Sequence, residues 1–493
     1  MKSVQSFLLQ LLSVAFLPSL LASLDATTAV RAEVSLAEPA ISQTIPLATT
    51  ETVDALVEQI MAERHIPGLS LAVVRDGKLI KTQSYGYLNR DLNVHTRPSS
   101  VFPIASVSKP FTATAIMLLV QSGQIELDAP ISTYLTDTPA HWENITVRHL
   151  LTHTAGLSES VYANRLRTIQ TLSGFQTQAS KVPLDFQPGE AWAYSNTGYN
   201  LAARIIETVS GQSFEAFMES RIFEPVGMGS TDVVRESYDF SNRATGYFWD
   251  GRQLQPHPFN RRFNARLMSI LYGSGSVTST VTDLAMWEIA LQKGELLTPE
   301  LQTEMQKPVA MNSGRQFKYG LGWFVDSVNG HRMVSHGGNI WGFTTSIARF
   351  PDDRLTVILL ANKDSESGNE LAMRIAQQYV PALAVNPDAP AINDPNPALT
   401  AALLQYANGD ATAITPTSEW QILLSTPRGQ SLTARFRDDL GRNQIKALEL
   451  VDRENHPNGT RYRYRAITAD DRKFLSAIVT PDGLLAALGT APE

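Results

Sequence analysis

The sequence predicts an α+β fold: an antiparallel sheet flanked by helices, with a mainly helical subdomain and a small C-terminal α+β domain. Three observations predict it. A helix–strand–turn–strand pattern begins near residue 50 and is answered by a strand–turn–strand–helix pattern ending near residue 380, so the two ends can share one antiparallel sheet. The stretch between them, about 106–300, is helix-rich. A proline-rich break at 381–398 then sets off residues 399–493. Of the 493 residues, 43% are hydrophobic and 18% charged, ordinary values for a folded chain. The 41 Lys+Arg against 48 Asp+Glu give a net charge of −7, which offers nucleic acid no electrostatic attraction. No cysteine is present, which excludes a disulfide framework, a cysteine metal centre and a thiol nucleophile.

The elements follow in order. Residues 1–32 carry Lys2, a mostly apolar run from Phe7 to Leu24 and small residues around Arg31, the pattern of an export signal cleaved from a periplasmic or secreted protein. An uncleaved anchor is the alternative, but Gln10, Ser13, Pro18, Ser19 and Ser23 dilute the run. No stable membrane insertion is expected after cleavage. Thr52 to His65 has helical spacing, with Val53, Leu56, Val57, Ile60 and Met61 on one face, and Pro67-Gly68 stops it. Leu69 to Val74 reads as a strand, Arg75-Asp76-Gly77-Lys78 as a hairpin turn and Leu79-Ile80 as the opening of the return strand. Thr344 to Phe350 and Leu355 to Leu360 read as a second strand pair joined by Pro351 to Arg354, followed by a helix from Glu370 to Tyr379. Beyond the linker, Leu399 to Ala407 reads as a helix. Trp420–Leu424, Ser431–Arg437, Ala447–Val451, Arg461–Ile467 and Phe474–Val479 read as strands.

Candidate chemistry begins at Ser106-Val107-Ser108-Lys109, the one lysine with a serine three positions before it. From Lys109 to Ser122 the residues are apolar nearly all round, with Gly123 as a stop, so a buried helix is expected to start near Ser106. Pro110 is tolerated in its first turn. Serine and lysine then share one face of that turn, where lysine can accept or relay the hydroxyl proton. An N-cap serine with a solvated lysine is the bland alternative. A tyrosine base with a nearby amide is offered by four Tyr-x-Asn strings, at Tyr87, Tyr162, Tyr194 and Tyr406. Tyr194 with Asn196 is preferred, because it follows the Gln187-Pro188-Gly189 turn and enters the amphipathic segment Leu201 to Val209. A strand beside the nucleophile is offered by Lys318-Tyr319-Gly320 and by His336-Gly337-Gly338-Asn339. The second is favoured: its paired glycines would let substrate approach closely, and the N–H of Asn339 could join that of Ser106 in an oxyanion hole.

These strings together resemble the serine β-lactamase and penicillin-binding-protein-like hydrolases, closest to their class C, D-aminopeptidase and esterase branches. The resemblance covers about residues 50–380. It is carried by Ile66-Pro67-Gly68, Phe102 to Lys109, His149-Leu150-Leu151-Thr152-His153-Thr154-Ala155-Gly156-Leu157, Pro188-Gly189, Tyr194 to Tyr199 and His336-Gly337-Gly338. It implies that Ser106 is acylated, that Lys109 and Tyr194 move its proton, that Asn196 positions, and that His336 opens the strand triad. It also assigns the His149/His153 pair to a structural signature; position 150 is Leu rather than the Glu of a zinc-protease helix, so no metal and no cofactor are expected. Where the usual β-lactamase strand begins with Lys, this one has His336, without a fixed charge for a substrate carboxylate. The expected substrate is a small ester, D-peptide or β-lactam-like compound, handled as by the esterase and D-alanyl-D-alanine carboxypeptidase branches rather than by an efficient β-lactamase. A protein that binds wall peptides or β-lactams without turnover is the alternative.

Overall fold

A computed structural model describes residues 50–162, 171–234, 242–258, 271–364, 367–384, 386, 388–426, 429–430, 445–468 and 472–491. The export signal at 1–32, the strand expected at Ser431–Arg437 and most of the Tyr162-Ala163-Asn164 string lie outside the described residues. No described helix is long and apolar enough to cross a membrane.

The centre is a seven-stranded antiparallel sheet. Its strands are β1 (Gly68–Arg75), β2 (Lys78–Asn89), β3 (Val94–His95), β4 (Phe324–Val328), β5 (His331–Ile340), β6 (Phe343–Phe350) and β7 (Leu355–Ala361). They lie in the order β4-β5-β6-β7-β1-β2-β3, so the two ends of the region meet where β1 pairs with β7, Leu71 opposite Leu359 and Val73 opposite Val357. β1, β6 and β7 are buried almost throughout rather than on alternate residues. Helices on both faces cause this. Leu69, Leu71, Val73, Val357 and Leu359 pack with α1 (Thr50–Glu63) and, at the other end of the region, Gly368–Tyr379. Ala72, Val74, Ile347, Ile358 and Leu360 face the helical subdomain.

The axis of that subdomain is α2 (Ser108–Gln121), buried from Ser108 through Leu119, as a helix apolar all round must be. Gly123 closes it at φ +70°, the left-handed conformation that glycine adopts without strain. Around it stand α3 (Val147–Thr152), α4 (Asn196–Ser210) and α5 (Val281–Lys293), with Phe111 of α2 stacked on Trp287 of α5 at 3.9 Å. α6 is the Gly368–Tyr379 helix on the far face of the sheet.

After a short turn at Pro381–Leu383, α7 (Pro397–Ala407) and α8 (Ser418–Ser425) precede a four-stranded antiparallel sheet, β8 (Ala447–His456), β9 (Gly459–Ile467), β10 (Arg472–Val479) and β11 (Leu485–Ala491). Leu399, Leu403, Tyr464, Ala466, Leu475 and Leu485 form its separate core. One expectation is corrected here, and one strand has no counterpart in the sequence reading. Trp420–Leu424 is the body of α8, not a strand: Thr417 caps it by accepting from Trp420 N, and a short run that is apolar except for Gln421 does not by itself distinguish helix from strand. The last strand, rich in Ala and Leu and without an Ile or Val, forms because β10 supplies its partner. This tail meets the preceding region at residues 315–326. Asn458, in the β8–β9 turn, accepts from Gln316 N at 2.8 Å; Glu419 binds Arg315 at 2.9 Å; and Arg461 reaches Asp326 at 3.0 Å.

Candidate active site

Ser106 sits in a 3-10 turn, Ala105–Val107, that runs directly into α2. Three ties fix the turn. Phe102–Pro103 pairs with Thr278–Ser279, Ile104 N donates to Val277 O at 3.0 Å, and Thr345 Oγ1 of β6 donates to Ile104 O at 2.8 Å. Ala105 is held at φ +50°, a conformation that costs a non-glycine residue of order 1–3 kcal/mol and persists only where the surroundings impose it. Three residues per turn bring Ser106 and Lys109 onto one line. Lys109 Nζ lies 3.2 Å from Ser106 Oγ and donates also to Asn196 Oδ1 and to the Ser274 carbonyl, both at 2.8 Å. The lysine is 0% exposed, which removes the alternative of a capping serine beside a solvated lysine.

Tyr194 and Asn196 arrive together at the start of α4. Ser195 is the cap, its hydroxyl accepting from Gly198 N, so Asn196 is the first residue of the helix and its amide is left to face Lys109. The Lys109 ammonium stands over the Tyr194 ring, 4.5 Å from its centroid. The ring is packed from behind by His153 at 4.3 Å between centroids. His153 is itself buried and left-handed at φ +62°; its Nδ1 accepts from Ser195 N at 3.0 Å, so Nε2 carries the proton. His149 instead completes the Thr146 cap of α3, accepting from Thr146 N through Nδ1. The two histidines thus serve different backbone segments.

β4 covers β5 only as far as Ser335, so among the described residues no strand pairs with that edge of β5 from His336 to Ile340, and this part of β5 packs on the Ser106 turn. Gly338 explains the approach: a Cβ there would stand 2.3 Å from Ile104 O and 3.1 Å from Ala105 Cβ. Gly337 faces the other way, toward Asn369 of α6. Of the two glycines, Gly338 is the one whose smallness matters, and it makes room for the Ser106 turn. Asn339 is exposed, its Oδ1 accepting from Thr344 Oγ1.

His336 is 1% exposed. Nδ1 is 2.8 Å from Gly337 O, which can only accept, so Nδ1 carries the proton and Nε2 accepts from Tyr319 OH at 3.0 Å. Burial keeps the Tyr319 phenol protonated, far above its ordinary range, as this donation requires. Burial first, and the Lys109 charge second, push His336 down to about 3. Its neutral form is full above the ordinary value of 6.5, and the stability tied to it is lost as pH falls from there toward about 3. His336→Gln should therefore flatten the decline in stability between pH 6.5 and 4.5 in urea titrations; parallel declines would show that the imidazole is not held neutral.

Three contributors have no signal of their own in the sequence. Tyr319 belongs to the competing Lys-Tyr-Gly string, whose Lys318 turns away to Asp326 at 2.7 Å while the tyrosine reaches His336. Trp192, stacked on Phe317 at 3.9 Å, builds the adjoining wall with Tyr319 and Phe324. Glu159, two residues past the His149–Leu157 string, accepts from Asn196 Nδ2 at 2.9 Å.

The sequence profile of the Beta-lactamase family matches residues 53–380, about two thirds of the chain. The chain belongs to the beta-lactamase family. Among relatives of this beta-lactamase-family serine hydrolase, penicillin-binding protein 4* of Bacillus subtilis is 30% identical over 345 residues, 65% of this chain and 74% of that protein. D-amino acid amidase of Ochrobactrum anthropi SV3, solved with D-phenylalanine, is 26% identical at a TM-score of 0.57, over 66% of this chain and 97% of that one. The octameric penicillin-binding protein homologue of Pyrococcus abyssi, 22% identical at a TM-score of 0.59, shares the fold over 88% of this chain and 96% of its own, so that likeness extends beyond the family region.

Proposed function

We propose that this beta-lactamase-family protein is an exported serine hydrolase that forms an acyl-enzyme on a small ester or amide, as an esterase or D-peptidase and not as an efficient β-lactamase. The observation that carries this reading is the fully buried Lys109 ammonium held among Ser106 Oγ, Asn196 Oδ1 and the Ser274 carbonyl. Ser106 Oγ attacks the carbonyl carbon and its proton passes to the oxygen of Tyr194, acting as the phenolate partner of the Lys109 ammonium, which itself only donates. The pair returns it to the leaving oxygen or nitrogen as the bond breaks, and water then hydrolyses the ester on Ser106. The N–H groups of Ser106 and Asn339 receive the oxyanion. The uncovered edge of β5 suits a substrate laid alongside it as an extra strand. A buried, neutral His336 supplies no cation for a carboxylate, which weighs against β-lactams. Similarity to a D-amino acid amidase weighs toward amides of D-configured acids. Export rests on the pattern of residues 1–32.

Incubation with a fluorophosphonate or a fluorescent penicillin, followed by peptide mass spectrometry, should place the adduct on Ser106 and find none in Ser106→Ala. An adduct elsewhere, or full esterase activity in Ser106→Ala, would sink the mechanism. A stable adduct with no turnover of any ester or D-peptide would instead favour a sensor of wall peptides or β-lactams.

A further inference from the structure

Glu159 takes part in none of the steps above, yet its carboxylate gathers four donors from the segment that carries Asn196. Oε1 accepts from Ser195 Oγ at 3.0 Å, Thr197 N at 2.9 Å and Thr197 Oγ1 at 3.0 Å, and Oε2 accepts from Asn196 Nδ2 at 2.9 Å. The opposite end of that amide, Oδ1, accepts from Lys109 Nζ. A side-chain amide is a donor at one end and an acceptor at the other, whereas an ionised carboxylate only accepts and an ammonium only donates. Between Glu159 and Lys109 one orientation of Asn196 satisfies both neighbours. The reverse sets an oxygen against a carboxylate and an NH2 against an ammonium. The carboxylate lies at the N-terminus of the 15-residue α4, where a backbone N–H and the helix dipole favour negative charge.

We propose that Glu159 is a positioning residue for this active site: through Asn196 it fixes the amide oxygen on Lys109 and so aims the ammonium at Ser106 and the Ser274 carbonyl. This rests on the reading of Ser106 as the acylated nucleophile. Glu159→Gln removes the constraint, because a glutamine NH2 facing Asn196 turns the asparagine over and sets its NH2 against Lys109.

The test is the second-order rate at which a fluorophosphonate labels Ser106, measured in the full chain. Glu159→Gln and Asn196→Asp should each slow labelling by about 10- to 100-fold, the usual cost of losing a partner that orients a reacting group. Glu159→Gln combined with Asn196→Asp restores the polarity with the carboxylate moved one residue inward: the introduced glutamine amide donates, and the new carboxylate accepts from both sides. The double variant should label at least tenfold faster than Asn196→Asp alone, a recovery that a residue merely supporting the loop would not give. A double variant that is unfolded, or no faster than Asn196→Asp, overturns the proposal, as does Glu159→Gln labelling at the parent rate. Failure of the parent to label on Ser106 would instead refute the assignment of the nucleophile.

Discussion

Lys109→Met should lower kcat/KM on an ester substrate by about 10²- to 10⁴-fold, the range that a positioned acid–base group contributes. Methionine fills much of the same buried volume, so packing around α2 is kept. Two effects on stability oppose each other. Losing the ammonium leaves the Asn196 and Ser274 oxygens without this donor, at roughly 1–3 kcal/mol each. It also removes the cost of burying a charge, several kcal/mol per ion. The net shift should be small, and a circular-dichroism melt close to that of the parent would separate lost chemistry from lost fold. Activity within tenfold of the parent would remove Lys109 from the proton transfer.

Gly338→Ala should damage both fold and activity. The added methyl would lie 2.3 Å from Ile104 O and 2.4 Å from Thr345 Oγ1. The threonine can rotate away only by giving up its bond to Ile104 O, and the carbonyl can move only by shifting the turn that carries Ala105 and Ser106. Overpacking of this kind costs about 1–3 kcal/mol. Displacing Ser106, the proposed nucleophile, by about 1 Å should cost on the order of 10²-fold in rate. Gly337→Ala should lose far less, since its methyl meets Asn369 Oδ1 at 3.4 Å, an ordinary contact. Equal losses at the two positions would show that the strand's approach to the turn does not set the geometry.

Much of this is legible from local pattern. The helix–strand–turn–strand opening and its mirror before residue 380 are strong periodic signals, and their meeting at β1–β7 follows from antiparallel pairing. Ser106 with Lys109, and Tyr194 with Asn196, are readable because each pair is close in sequence. What is not readable arises where distant segments meet. Nothing local marks Glu159 as the acceptor for Asn196, 37 residues away, and Tyr319 lies inside the string that competes with His336 for the strand. The α8 segment reads as a strand because its cap, Thr417, is a weaker signal than the run of apolar residues after it.

The contact between tail and wall has a bearing on cooperativity. Asn458, Glu419 and Arg461 grip Gln316, Arg315 and Asp326, and between those residues lies Tyr319, the hydrogen-bond partner of His336. A segment held from both sides cannot open without releasing one of its holders. Local unfolding of the C-terminal sheet is thereby tied to the order of the Tyr319–His336 wall, so hydrogen exchange in β8 and β9 and the loss of activity on warming should track one another.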